Sequence, residues 1–389
     1  MAGIIIRPRS RILHGHDWVY STEVLKVFGQ PNNGDVISIK DGRDRMLGSA
    51  IYHGNSQIVA RRFSHQRQDL DLDFFCRRIQ KAQEFRDRIG VNSAVRRVVW
   101  SESDGLPGII IDRYGSVAVL QTLTLAMDQR QSLIVSAIAE ILGVTTVIER
   151  NDSSSRKMEG LAPRIGLLLG NEPAETMVEI AGMKFEIDFL GGQKTGFYLD
   201  QVASYRDVAG RAKGLRVLDG FSNQGAFAVA CSLEGAAEVT AVESGVDNLP
   251  RIKKNAEING AAIKVIGANV FDFLATAARR EEEYDLIILD PPPFTRTRKG
   301  LKDALRGYQE LHLKAAQLLS KDGLLATFSC SHHVSSAEFK GSITEAFYAA
   351  RRSARQLAVF QQSPDHPIVA GLPETEYLKG FLYGMMTSF

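Results

Sequence analysis

The chain has 389 residues, 44% hydrophobic and 24% charged, with 34 Gly and 12 Pro scattered without a period. That composition suits two or three globular domains and excludes a wholly disordered or collagen-like chain. With 47 Lys and Arg against 45 Asp and Glu the formal charge is only +2, so any surface for a polyanion has to be local. No uncharged apolar run approaches the roughly 18–20 residues that cross a bilayer, so no membrane partner is expected. The opening Met-Ala-Gly-Ile-Ile-Ile-Arg is too short in its apolar part for a signal peptide. Cys76, Cys231 and Cys330 form an odd set with no CxxC spacing. They predict neither a disulfide framework nor a structural metal site, and they fit a reducing cytoplasm.

Residues 1–68 are expected to form a small β domain. Short alternating runs such as Val36–Ile39 and Gln57–Ala60 are separated by turn signals at Asn32-Asn33-Gly34, Asp41-Gly42 and His53-Gly54-Asn55. Residues 1–64 hold nine basic residues against five acidic ones. Arg7, Arg9 and Arg11 lie close in sequence to His14, His16, Trp18 and Tyr20. Basic residues interleaved with rings suit a phosphate-and-base surface, and they equally suit a solvated loop beside a small core. Residues 69–92 read as a linker helix, with Leu72, Phe75, Cys76, Ile79, Ala82 and Phe85 at three- and four-residue steps. Within 93–177 the pattern is strand, strand, strand, helix, strand. Its clearest members are Val117–Leu120, the helix Gln131–Leu142 and Thr146–Glu149, and 151–156 reads as loop. A last domain, 178–389, begins with a hairpin around Gly182 and then alternates strands and helices. Its strands end at Asp219, Glu243, near Gly267, at Asp290 and near Cys330. This rhythm predicts an α/β fold with a mostly parallel, doubly wound sheet, whose ligands bind beyond the carboxyl ends of the strands.

The chemistry-bearing residues fall at those ends. The first turn, Asp219-Gly220-Phe221-Ser222-Asn223-Gln224-Gly225-Ala226-Phe227, lacks the GxGxxG of a dinucleotide site, which disfavours a nicotinamide oxidoreductase. It is closer to the D-x-F-x-x-x-G turn of adenosylmethionine enzymes. Glu243, at the end of the second strand, can accept both hydroxyls of an adenosine ribose. The strongest local signal is Asp285–Phe294: a buried strand runs into Asp290-Pro291-Pro292-Pro293-Phe294. Three prolines force the chain out of the sheet as a stiff corner, which holds Asp290 at the edge and offers Phe294 to a flat base. Cys330 follows an apolar strand within Ser329-Cys330-Ser331-His332-His333. It reads either as an inert thiol or as a nucleophile at the active edge. Gln193-Lys194-Thr195-Gly196-Phe197 reads as a contact loop for a charged small molecule or as a structural cap. Arg296, Arg298 and Lys299 read as phosphate contacts or as a solvated run.

Taken together these strings resemble the ribosomal RNA large subunit methyltransferase I type of adenosylmethionine-dependent enzymes. The resemblance is carried in order by Asp104–Gly108, Asp112–Gly115, Glu149–Asp152, Gly192–Gln201, Asp219–Phe227, Asp290–Phe294, Ser329–Ser331, Asp365–Pro367 and Pro373–Gly380. It implies a PUA domain over 1–68, an EEHEE α+β domain over 93–177 and a Rossmann-like methyltransferase domain over 178–389. It also implies 5-methylation of a cytosine in 23S ribosomal RNA, and a homodimer. By motif position, Cys330 is the nucleophile and Asp290 faces the cytosine. Gln193, Lys194, Thr195, Gly196, Phe197, Asp219, Phe221, Ser222, Gln224, Gly225, Phe227, Glu243, Asn269 and Asp290 surround S-adenosylmethionine. The RNA contacts expected are Arg7, Arg9, Arg11, Trp18, Pro292, Phe294, Arg296, Arg298 and Lys299. The chain departs from the family at Ser222-Asn223-Gln224, where Cys-Tyr-Thr is usual, at Asn269, where Asp is common, and at Val202, where Arg is usual. An Asn carbonyl oxygen still accepts a hydrogen bond. No second Cys stands at the proline corner, so the base that removes the C5 proton stays open among His366, His332 and water. The rival readings are amino-group methylation without Cys330 and a non-catalytic RNA-binding or assembly factor.

Overall fold

The computed structural model describes residues 2–91, 94–171, 176–192, 195–295 and 297–386. The chain divides into two units: Met1–Val178 with Glu186–Leu199 and Pro364–Glu376, and Glu179–Phe185 with Asp200–Ser363 and Tyr377–Phe389.

Alternation of apolar residues builds the first sheet of the first unit. Its six strands run in the order Trp18–Tyr20, Ile58–Ser64, Met46–Tyr52, Val36–Lys40, Gly3–Ile6, Val24–Phe28. Ile4, Ile6, Val19, Ile37 and Ile39 point to one side and are buried together. The expected helix is present as Leu72–Arg88. The Asp71 carboxylate accepts the Phe74 N–H at 2.8 Å and so caps its start. A second sheet holds Arg164–Leu169, Thr146–Asn151, Val117–Thr122, Ile109–Tyr114 and Val95–Trp100, in that order. Helix Gln131–Leu142 joins its parallel pair, Val117–Thr122 and Thr146–Asn151. The strand Arg164–Leu169 is an addition to the sequence reading. A proline at its entry and Gly166 inside it give it the composition of a loop, yet it pairs antiparallel with Thr146–Asn151.

The second unit carries a seven-stranded sheet, whose strands are numbered here within that sheet: β1 Arg216–Gly220, β2 Glu238–Glu243, β3 Lys264–Gly267, β4 Tyr284–Leu289, β5 Leu319–Ser329, β6 Ser353–Phe360 and β7 Lys379–Met386. Their order is β3-β2-β1-β4-β5-β7-β6. The first five are parallel, and β7 runs antiparallel between β5 and β6. Strand order reverses at β1, which opens a crevice between β1 and β4 at their carboxyl ends. Leu218, Ile287, Leu289 and Leu325 are fully buried in the sheet, as strands covered on both faces require.

Candidate active site

The turn after β1 is tight. Phe221 and Asn223 adopt φ of 64° and 53°, a left-handed conformation that side chains avoid, and Gly225 follows at 83°. A Cβ on Gly225 would approach Ile252 to 3.0 Å, so glycine lets the turn lie close to the neighbouring helix. Asp219 holds the turn together. Its Oδ2 accepts the Ser222 hydroxyl at 2.6 Å and the Ala228 N–H at 3.2 Å. Burial pushes the Asp219 carboxyl up to about 7, with Asp290 and Glu243 adding repulsion, while the two hydrogen bonds pull the other way.

At the end of β2, Glu243 accepts the Asn223 N–H at 2.9 Å and the Gly245 N–H at 2.6 Å, one on each oxygen. Each oxygen retains further acceptor capacity. Asn269 is exposed and caps the helix Val270–Arg279, its side chain accepting the Phe271 N–H at 2.9 Å. The sequence alone did not reveal that local duty.

Asp290 follows β4 directly, and its Oδ2 accepts the Gln201 amide N–H at 3.1 Å. The three prolines then carry the chain out of the sheet. The Phe294 ring stacks on Tyr308, with centroids 4.4 Å apart and an interplanar angle of 28°. Cys330 lies one residue past β5, the strand beside β4. Ser329 and Ser331 are fully buried, whereas Cys330 between them is half-buried. Both serines are thus enclosed while part of Cys330 stays accessible. Both serine hydroxyls meet the Tyr308 hydroxyl, at 2.9 and 3.1 Å. Lys379 Nζ donates to the Ser331 carbonyl at 3.0 Å. Burial raises the Tyr308 phenol above its ordinary range against those serine bonds, and charges on Cys330 and Asp290 add to the rise.

The remaining expected residues fall into several groups. Phe227 is buried, its ring packed against those of Tyr205 and Phe328. Ser222 and Gln224 are buried in the β1 turn. Pro292, within the corner, and Arg298 and Lys299, beyond it, are exposed. In the first unit, the Thr195 hydroxyl donates to Asp112, the Phe197 N–H donates to the Tyr114 hydroxyl at 3.1 Å, and Gly196 has a φ of 124°. Arg7, Arg9 and Arg11 are exposed. Arg11 lies 4.5 Å over the Tyr20 ring. Trp18 is half-buried. Its indole N–H donates to Glu102 at 2.9 Å, and the Arg61 guanidinium lies 4.8 Å from its ring centroid. Gln193, Lys194 and Arg296 lie outside the described residues. His366 is 1% exposed and bonded to Asp365 at 2.8 Å, which argues against it as the proton acceptor; His332 is exposed.

Sequence reasoning missed two participants. Tyr308 shares the apolar helix face of Ala304, Leu311 and Ala315 and reads as core. Gln201 was quoted only as part of a motif. Its Oε1 is buried with no hydrogen-bond partner while its amide nitrogen is fixed on Asp290.

These groups form a donor set of one kind. Asp219, Glu243 and Asp290 stand at the ends of three adjacent strands, and Gln201, whose amide nitrogen donates to Asp290, adds an acceptor oxygen with no partner. Acceptors and negative charge fit a ligand that brings hydroxyls, an amine and a cationic centre. S-adenosylmethionine has all three. Among the described residues, no group of three His, Cys, Asp or Glu side chains could hold a metal ion, and no helix is long and apolar enough to cross a membrane.

Comparisons with known proteins agree with this geometry. The S-adenosylmethionine-dependent methyltransferase family matches residues 163–345, and the PUA-like domain family matches 7–65. A ribosomal RNA large subunit methyltransferase I of Shigella boydii is 36% identical over 382 residues, covering 96% of each chain. The protein of that name from Erwinia tasmaniensis is 36% identical over 386 residues, covering 97% of this chain and 98% of its own. Among solved structures, a methyltransferase complexed with SAH superposes with a TM-score of 0.86 at 22% identity, covering 99% of this chain and 100% of that one. A SAM-dependent methyltransferase from Streptococcus mutans gives 0.84 at 21% identity, with the same coverage. The fold is that of a class I methyltransferase preceded by a PUA-like domain, its cofactor is S-adenosylmethionine, and the chain belongs to the ribosomal RNA large subunit methyltransferase I family.

Proposed function

We propose that this protein methylates C5 of a cytosine in ribosomal RNA of the large subunit, with Cys330 as nucleophile and Asp290 as the group facing the base. The RNA substrate is supported by the name shared by relatives that match nearly the whole chain. One observation carries the chemistry: a half-buried thiol between two buried serines, just beyond a strand whose parallel neighbour leads directly into Asp290.

Cytosine C5 is a poor nucleophile until C6 is attacked. The Cys330 thiolate forms a bond to C6, and the electrons of the C5–C6 double bond make C5 the attacking atom. Bound S-adenosylmethionine supplies an electrophilic methyl on a sulfonium. The Asp290 carboxyl, steadied by Gln201, accepts from the exocyclic amine and donates its proton to N3, so relieving the negative charge that addition puts on the ring, and it takes that proton back when the ring is restored. Removal of the C5 proton restores the double bond, breaks the C6–S bond and returns the thiolate. His332, exposed just past Ser331, is our candidate for that base. Thr195, Gly196, Phe197, Asp219, Phe221, Ser222, Gln224, Gly225, Glu243 and Asn269 are assigned to the cofactor. The base must leave its stack to be reached, which favours single-stranded or open RNA.

We assign residues 1–68 as the RNA-binding PUA-like domain, with Arg7, Arg9, Arg11 and Trp18 on the RNA side. Residues 69–92 are the linker, 93–177 the EEHEE domain and 178–389 the catalytic domain. We assign the protein to the cytoplasm, the compartment that an odd cysteine set without CxxC spacing fits.

The test is mass mapping of ribosomal RNA methylated by wild type and by Cys330→Ala. A 5-methylcytosine made by the first and absent with the second is expected. An undiminished product with Cys330→Ala would overturn the thiol mechanism, and a methyl group on the exocyclic amine would make the protein an amino-group methyltransferase.

A further inference from the structure

Tyr308 is fully buried in the helix Leu301–Leu318, and no chemical step above uses it. Its surroundings are nonetheless specific. The hydroxyl meets Ser329 Oγ and Ser331 Oγ, the two residues that flank Cys330. Its ring carries Phe294, the last residue of the proline corner that begins at Asp290. Phe339 packs edge-on against the same ring at 5.0 Å, and His312 stacks at 6.2 Å, so the ring has little freedom. The Ser331 N–H also donates to Ser329 Oγ at 3.3 Å, which closes the turn around Cys330.

We propose that Tyr308 is a positioning residue for methyl transfer, fixing through one side chain the separation of Cys330 from Asp290. The hydroxyl pins the segment that carries the thiol, and the ring seats the corner that carries the carboxylate. A phenol that touches both serines fixes the backbone on either side of residue 330, and so the direction in which the thiol leaves it. The inference rests on the reading of Cys330 as the nucleophile.

Tyr308→Phe keeps the ring and its stacking and removes only the hydroxyl. Misplacement of a nucleophile by an ångström costs up to about a hundredfold in rate, so kcat is expected to fall roughly 10- to 100-fold. The KM for RNA and the Kd for the cofactor should stay within about twofold, because neither ligand's contacts change. A merely structural role would lower the melting temperature without that split. The double variant Ser329→Ala/Ser331→Ala should reproduce the loss. Adding Tyr308→Phe to it should cost less than about twofold more, since the serine changes already remove both bonds of the phenol.

A Tyr308→Phe enzyme with wild-type kcat overturns the inference, as does a multiplicative loss in the triple variant. Cys330→Ala, assayed in parallel, separates the two levels. If it is inactive while Tyr308→Phe is fully active, only the positioning role falls. If it is fully active, the thiol mechanism falls and this inference with it.

Discussion

The Gln201 side chain donates to Asp290 at 3.1 Å with its nitrogen, and its oxygen is buried with no partner. In the proposed role of Asp290 facing a flat base, the carboxyl gains from such a steadying bond, and a buried acceptor left open is costly unless a ligand fills it. Gln201→Ala should therefore lower kcat by roughly 10- to 100-fold and also weaken cofactor binding, since the open acceptor disappears. Steady-state kinetics with calorimetric titration of S-adenosylmethionine checks both effects.

Asp219 is expected to leave a signature in stability. Its folded carboxyl is raised to about 7, against an ordinary value of 3.8, mainly by burial. The native state then holds a proton that the unfolded state has released, so the stability linked to this group is present at low pH. It is lost as pH rises from about 4 through 7, at up to about 1.4 kcal/mol per pH unit. Asp219→Asn should remove that slope. Urea unfolding of the ligand-free protein between pH 5 and 8 reads it, and parallel curves for the two proteins would refute the assignment.

His312 acts with the opposite sign. It is fully buried, its Nε2 is 2.8 Å from Thr327 Oγ1, and burial lowers its pKa from 6.5 to about 3. The folded protein keeps it neutral while the unfolded chain protonates. Its contribution is fully present above pH 6.5 and is lost as pH falls toward 3, again at up to about 1.4 kcal/mol per unit. His312→Gln should flatten the acid limb of the stability profile below pH 6.5, whatever it costs at neutral pH. An unchanged acid limb in urea melts would contradict this.

Gly380 in β7 is pressed against the strand that leads into Cys330. A Cβ there would lie 2.5 Å from Phe328 Cδ1 and 2.9 Å from Phe360 Cβ. Phe328 is fully buried and leads into Ser329 and Cys330. Gly380→Ala should destabilise the domain by about 1–3 kcal/mol through overpacking. It should also slow methyl transfer by displacing the Ser329–Ser331 segment. Thermal melts and single-turnover rates measure the two effects.

Much of this architecture is legible in the sequence because its signals are local. Prolines at 291–293 force a corner wherever they occur, and strand–helix alternation announces a parallel sheet. The ends of β1, β2 and β4 fall within a residue of the expected ones. Tertiary pairings are not local. Nothing in the sequence says that Tyr308 reaches two serines, or that Asp112 takes a bidentate pair of bonds from Arg97, both at 2.7 Å. Asp112 and Asp104 belong to strings that marked the family, yet their observed partners, Arg97 and Arg86, are buried ion pairs within the first unit. A motif can therefore mark structure as readily as chemistry.

The most direct test uses RNA in which the target cytosine carries fluorine at C5. The thiol can add at C6 and the methyl can transfer, but fluorine cannot leave as a cation in place of the proton, so the C6–S bond has no route to break. Intact-protein mass spectrometry of the wild-type enzyme with this RNA and S-adenosylmethionine should show a stable covalent complex, mapped by peptide sequencing to Cys330. A methylated fluorinated product released with no protein–RNA bond, or an adduct on Cys76 or Cys231 in place of Cys330, would contradict the account.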